Sequence, residues 1–254
     1  MRDAIETEAI VLRVVDYAEA DRICQLLTRD LGKRSVFAKR AKSSVKQFKG
    51  GINSFTLLRV RMRDKGPEKL ATLVSSEVSV SWQDIGGDLE RMALGSYLLE
   101  LLDVLLQDGQ GEGALFNTVS RFMMWLHGET GGAARVEAGG HRLQLMLLND
   151  AGLLPPLRES VRSSLSLEHE NEVYWLPNIG LVAASERLAG EHGAELSGTG
   201  LRYLYALVDG KFPSDAATVA RREVRRALAL VWTTTLGREL RSFPFYCSMF
   251  DPAG

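Results

Sequence analysis

A chain of 254 residues with 45% hydrophobic and 25% charged residues has the make-up of an ordinary globular protein and is long enough for two cores, which excludes disorder as the default. Its two cysteines, Cys24 and Cys247, are too few for a disulfide framework or a cysteine-built zinc site and fit a reducing compartment. The formal charge of −1 hides an uneven spread: residues 1–70 hold 16 Lys+Arg against 9 Asp+Glu, and the remainder 15 against 23.

The N-terminal pattern is one of short strands. "EAIVLRVVD", "RICQLLTR", "RSVFAK", "FTLLRVRMR" and "KLATLVSSEV" are rich in branched and alternating apolar residues and are separated by turn signals. Five such strands predict a small closed barrel, and among five-stranded barrels the OB-fold is the one suited to single-stranded nucleic acid. The predicted fold class is therefore α+β and multidomain, with an OB-fold barrel over residues 1–80. No signal-peptide h-region precedes it, so none is expected to be cleaved.

Between the third and fourth strands the charge concentrates. Residues 29–49 carry eight basic side chains against a single acid, Asp30. In the fourth strand, alternation puts Leu58, Val60 and Met62 on one face and Arg59, Arg61 and Arg63 on the other. That face reads either as a solvated strand surface or, with the neighbouring loop, as one basic track for phosphates, which release counterions when Lys or Arg neutralises them. The candidate contacts are Lys33, Arg34, Lys39, Arg40, Lys42, Lys46, Lys49, Arg59 and Arg61. Phe37, Phe48 and Phe55 are available for base stacking, although Phe37 and Phe55 sit in strands and read as core.

From about Trp82 the period changes to that of helices, predicting an all-α domain over residues 81–254. The apolar run at residues 92–106 contains Glu100 and Asp103 and is too short to span a membrane, so a buried helix is expected. "ALFNTVSRFMMWLHG" and "GGHRLQLMLLNDAGLLPP" supply two more helices. At about 155–184 the helical period lapses into a small hairpin-like insertion around Pro177 and Gly180. Helix resumes in "GTGLRYLYALVDG", and Pro213, Ser214 and Asp215 offer a start for "AATVARREVRRALALVWTTTLGREL". There Val224, Leu228 and Val231 form a core stripe, while Arg221, Arg222, Arg225 and Arg226 form a ridge, read as a solvated face or as a further basic or partner-facing surface.

Enzyme chemistry is not visible. "DGQGEG" lies between helices, so it lacks the strand-turn-helix setting of a dinucleotide fingerprint, and no G-x4-G-K-[ST] loop occurs. His127, His141, His169 and His192 are scattered, and neither cysteine has a neighbouring histidine. Asp16, Glu19 and Asp21 could hold a nuclease metal, but a turn whose carboxylates pair with the adjacent basic segment is the simpler role. Neither a cofactor nor catalytic residues are expected.

The chain resembles the RecO family of bacterial recombination mediators. The resemblance rests on Glu19-Ala20-Asp21 in the first turn, on Leu26 to Lys33, on Ala38-Lys39-Arg40-Ala41-Lys42, and on Ser54-Phe55-Thr56-Leu57-Leu58. It extends to "YLLELLDVLLQDGQGEGALFNTV" and "RLQLMLLNDAGLLP" in the helical part. It implies binding of single- and double-stranded DNA, strand annealing, contact with the acidic C-terminal tail of single-strand-binding protein, and work with RecR to load RecA. It also implies a cytoplasmic, nucleoid-associated location with no membrane partner. The tail's acidic residues and phenylalanine would want a cation beside an apolar groove; Arg121 and Arg142, with Tyr97 and Leu143 as walls, are the candidates. Three departures stand out: the insertion lacks the four zinc cysteines of many members, so no metal is expected; Arg40 stands where glycine is common; and "RELRSFPFYCSMF" matches the family's ending only loosely. The competing reading is a helical interaction scaffold whose basic loop docks an acidic protein.

Overall fold

The computed structural model describes every residue except 1–3, 65, 67–68, 112, 214–215 and 252–254. Its N-terminal strands are β1 (Ile5–Tyr17), β2 (Asp21–Thr28), β3 (Gly32–Ala38), β4 (Phe48–Lys49), β5 (Thr56–Arg63) and β6 (Ala71–Ser81). Short turns make β1–β2 and β2–β3 antiparallel neighbours; β5 pairs with β1 on one side and β6 on the other. A parallel pairing of β3 with β6, Val36 opposite Ala71 and Phe37 opposite Thr72, closes the circuit into the OB-type barrel. Alternation fills it: Ala9, Val11, Cys24, Leu26, Val36, Leu58, Val60, Met62 and Leu73 point inward and are buried. Burial pushes the Cys24 thiol up to about 12, which leaves it a packing residue.

The short β4 was not foreseen. Phe48, 2% exposed, drops from the middle of the basic loop into the barrel core, and Phe48 and Lys49 run parallel to β6 opposite Ser76 and Glu77. Gln47 reinforces the attachment, its side chain donating to the Val74 carbonyl at 2.6 Å.

Two helices belong to the same contact unit as the barrel, residues 1–128. In α1 (Leu89–Leu105), capped by Asp88 accepting from the Arg91 N–H, Leu94, Tyr97, Leu98, Leu101 and Leu102 are buried, as the apolar run predicts. Gly109 and Gln110, which follow, lie against the barrel: Lys33 N–H donates to the Gln110 carbonyl and Gly109 N–H to the Lys33 carbonyl. Gly32 makes that approach possible, because at φ 64° a Cβ there would meet the Gln110 carbonyl oxygen at 2.5 Å. Then comes α2 (Ala114–Gly128).

Residues 129–254 form the second unit. It contains α3 (Ala133–Asp150), α4 (Gly198–Val208), α5 (Thr218–Leu236) and α6 (Phe243–Phe250), packed mainly through α3 and α5. The insertion is more regular than expected: β7 (Glu172–Leu176) and β8 (Gly180–Ala183) form the hairpin, and β9 (Ala194–Ser197), lying beyond the anticipated boundary, adds a third antiparallel strand on the β7 edge. Ser197 ends β9 and caps α4, its hydroxyl accepting from the Gly200 N–H. Of the expected start of α5, Ser214 and Asp215 lie outside the described residues. The divergent C-terminal segment is the helix α6, whose Tyr246 and Phe250 are buried.

The arginine ridge of α5 is not a surface ridge, since only Arg226 of the four is exposed. Arg225, 2% exposed, pairs with Glu137 at 3.0 Å and Asp251 at 2.6 Å; Arg221 also reaches Glu137, and Arg222 reaches Asp251. His141 completes the cluster, its Nδ1 3.1 Å from the Tyr203 hydroxyl and its Nε2 3.3 Å from that of Tyr246. Two acids far from α5 in sequence thus draw three of its arginines inward.

Candidate nucleic-acid interface

On β5 the alternation is as read from the sequence: Leu58, Val60 and Met62 are fully buried, and Arg59, Arg61 and Arg63 are exposed. Because β4 fastens the basic loop alongside β6, Lys46 and Lys49 come to line one groove with Arg59 and Arg61, a concavity of about 290 Å³. Val60, Gln47, Ser75 and Ser76 form its floor and walls, together with two carboxylates, Glu6 and Glu77. Those acids are what the sequence reading missed. Glu6 stands opposite Arg61, and Glu8 and Glu77 flank Arg59 across the sheet, so each arginine has acidic neighbours. Their signal was present in "IETEAI", where Glu6 and Glu8 occupy the outward phase of β1.

The acids do not neutralise the groove. Glu8 is engaged by Arg29 at 2.7 Å, and among the described residues Glu77 pairs with Lys49 alone, at 3.6 Å in a largely exposed pair of the kind that contributes little. Lys39, Arg40, Lys46, Arg59, Arg61 and Arg63 carry no ion pair among the described residues. Unpaired, exposed cations are the ones that can exchange counterions for phosphates.

The other half of the loop is folded onto the β1–β2 turn. Arg40 adopts φ 57°, its N–H donates to Asp21 at 2.7 Å, and its carbonyl accepts from Ser43 and Ser44. The left-handed geometry that favours glycine is therefore kept with an arginine in place, with Asp21 anchoring it. Lys42 and Arg22 both pair with Asp16, at 3.0 and 3.2 Å, and the Lys42 contact in particular holds the Asp16 carboxyl below the usual carboxylate range. Two of the three turn acids are thus committed to the basic segment, and no group of three metal-ligating side chains occurs among the described residues.

Lys33 and Arg34 are placed elsewhere. Both are buried: the Lys33 ammonium lies 2.9 Å from Asp103, bonds the carbonyl of that residue and donates to the Leu106 carbonyl at 3.1 Å, while Arg34 faces Asp64 at 3.5 Å and donates to the Lys33 carbonyl. At the carbonyl end of α1 the Lys33 ammonium meets both the helix dipole and the orphan acceptors there, while Arg34 is held inward by Asp64. Lys33 braces the barrel against α1, and Arg34 is turned onto Asp64, so neither stands on the open face of the groove.

Of the candidates for a partner tail, Tyr97 and Leu143 are buried, at 2% and 3% exposure. Arg121 is exposed on α2, its Nε 3.4 Å from the Asn117 carbonyl of its own helix. Arg142 lines a groove of about 240 Å³ in the second unit, where it donates to the Leu207 carbonyl at 2.6 Å. The apolar walls there are Leu145, Met146, Leu154 and Val208, with Asp150 on the rim. Met146, one turn beyond Arg142 on α3, follows from helical spacing where the adjacent Leu143 does not.

Two family models match the chain: the recombination protein O N-terminal model over residues 1–82 and the C-terminal model over residues 86–244. Curated relatives bearing the name DNA repair protein RecO include one from Anaeromyxobacter sp. strain K, 31% identical over 247 residues and 96% of each chain. Another, from Pelobacter propionicus, is 28% identical over 244 residues and 94% of each chain, and one from Myxococcus xanthus is 30% identical over 150 residues and 59% of each. The chain with this basic OB-type barrel and helical C-terminal part belongs to the RecO family of DNA repair proteins.

Proposed function

We propose that the protein is a non-covalent recombination mediator: it binds single- and double-stranded DNA through the barrel, promotes annealing of complementary strands and, with RecR, loads RecA onto DNA coated with single-strand-binding protein. The observation that supports this most is the groove in which Lys46, Arg59 and Arg61 stand exposed beside Lys49, without an ion pair among the described residues. Annealing brings two polyanions together; a cationic surface lowers their repulsion, and base pairing supplies the drive. Lys39 and Arg40 extend the reach of the same loop. In the second unit, the Arg142 groove offers one cation beside Met146, Leu154 and Val208, the combination an acidic tail ending in phenylalanine would use.

The test is titration of single-stranded DNA at several salt concentrations. With four to six phosphates contacted, the log-log slope is expected at about −3 to −4. A flat salt dependence, or no binding at low salt, overturns the reading. If replacing Lys39, Arg40, Lys42 and Lys46 by alanine leaves DNA affinity intact but abolishes binding of an acidic protein, the protein is a scaffold instead.

A further inference from the structure

The outer face of β1, β2 and β3 carries an apolar row that the electrostatic groove does not use. Val15 stands opposite Ile23, and Ile23 opposite Phe37, across three adjacent strands. Tyr17, two residues beyond Val15 and on the same face, sets its ring edge-on to Phe37 at 5.9 Å between centroids and 84° between planes. Tyr17 is 54% exposed and Val15 39%, while Ile23 and Phe37 are half-covered. Phe37, assigned to the core from sequence, therefore points outward, because its neighbours Val36 and Ala38 take the inward phase.

Two cations adjoin this row at its turn end. Tyr17 is the cross-strand partner of Asp21, the residue that fixes Arg40 by its backbone N–H, and Lys39 follows Phe37 by two residues. Neither Lys39 nor Arg40 has an ion pair among the described residues. The loop that starts there continues to Lys46 and Lys49 in the groove, so the row lies at one end of the basic track. Exposed aromatic rings beside cations that carry no ion pair among the described residues suit unpaired bases, which can stack on a ring face while their phosphates meet the charges; a duplex keeps its bases inside and gains nothing from it.

We infer that Tyr17 and Phe37 form a stacking platform for the bases of single-stranded nucleic acid. The platform adds base contact to a track that otherwise touches only phosphates, and it gives the protein a preference for single strands over duplex. This rests on the DNA-binding reading above, and the experiment separates the two.

The experiment compares wild type, Tyr17→Ala and Tyr17→Phe for binding of an oligothymidylate containing 2-aminopurine and of a duplex, across a salt series. Tyr17→Ala is expected to lose about tenfold or more in single-strand affinity with an unchanged salt slope and unchanged duplex affinity, and to fail to quench 2-aminopurine. Tyr17→Phe, which keeps the ring, should bind as wild type does. Single-strand affinity of Tyr17→Ala within twofold of wild type, or an equal loss for duplex, overturns the platform and leaves DNA binding standing. Absence of single-strand binding by the wild type overturns both.

Discussion

The arginines of β5 and those of α5 look alike in the sequence and behave oppositely in the fold. On β5, Arg59 and Arg61 stand in solvent without ion pairs among the described residues, although acids lie opposite them. On α5, Arg221, Arg222 and Arg225 are turned onto Glu137 and Asp251, and Arg225 and Glu137 are almost wholly buried. An exposed cation is free to meet a ligand and contributes little to folding; a buried one is held by its counter-charges and costs heavily when one of them is lost. Runs of arginine thus divide by where their acids lie.

The sharpest way to break this contrast is at Glu137. Replacing it with alanine takes the carboxylate from Arg221 and leaves Arg225 with Asp251 alone, and should destabilise the protein by about 3–5 kcal/mol, measured by urea unfolding. The folded fraction should bind DNA as before. A loss below about 1 kcal/mol would mean the cluster is not the interior counterweight described.

The same cluster predicts a pH response. Burial, reinforced by the Arg225 and Arg221 charges, holds His141 well below its ordinary value of 6.5. The unfolded chain takes up a proton there as pH falls through 6.5 and the folded chain does not. The contribution is therefore present above pH 6.5 and is lost below it, by about 1.4 kcal/mol per pH unit. Glu137, whose carboxyl burial pushes up against the pull of Arg225 and Arg221, works in the opposite sense as pH rises past 4.5. Unfolding His141→Gln beside the wild type at pH 7 and pH 5.5 isolates the histidine part; equal pH dependence of the two proteins would refute it.

Arg40 combines both kinds of behaviour at one position. Arg40→Gly removes the left-handed strain at φ 57° and should stabilise the protein by about 1 kcal/mol. If the side chain contacts a phosphate, the single-strand salt slope should also weaken by about 0.7. Thermal melting and a salt titration read the two effects separately. The smallest change in stability is expected on β5 itself: Arg59→Ala with Arg61→Ala should alter unfolding by less than about 0.5 kcal/mol while weakening the slope by about 1.4.

The barrel was legible because its information is local. Each strand announces itself through alternation, and the phase of β5 is visible in seven consecutive residues, "LLRVRMR". The basic loop was equally plain as a count of charge. What local pattern could not supply is who pairs with whom: Lys33 leaves the surface for Asp103, seventy positions on, and Arg221 for Glu137, eighty-four positions back. The strands β4 and β9 escaped notice for a related reason, since two and four residues carry no period and are defined only by the β6 and β7 edges they join. Phe37 was misassigned because an aromatic in a strand has two faces to choose from, and only its partners settle the phase.

The anchoring of the loop by Phe48 has a thermodynamic consequence for recognition. On the DNA-binding reading, a basic segment hanging free would lose its conformational freedom at the moment of meeting DNA, at a cost of about 1 kcal/mol or more for each residue fixed. Here that entropy is already surrendered when Phe48 enters the barrel and Gln47 grips the β6 backbone. Lys46 and Lys49 thus wait at set positions, and on that reading their attraction for phosphate would go into affinity instead of into ordering the chain.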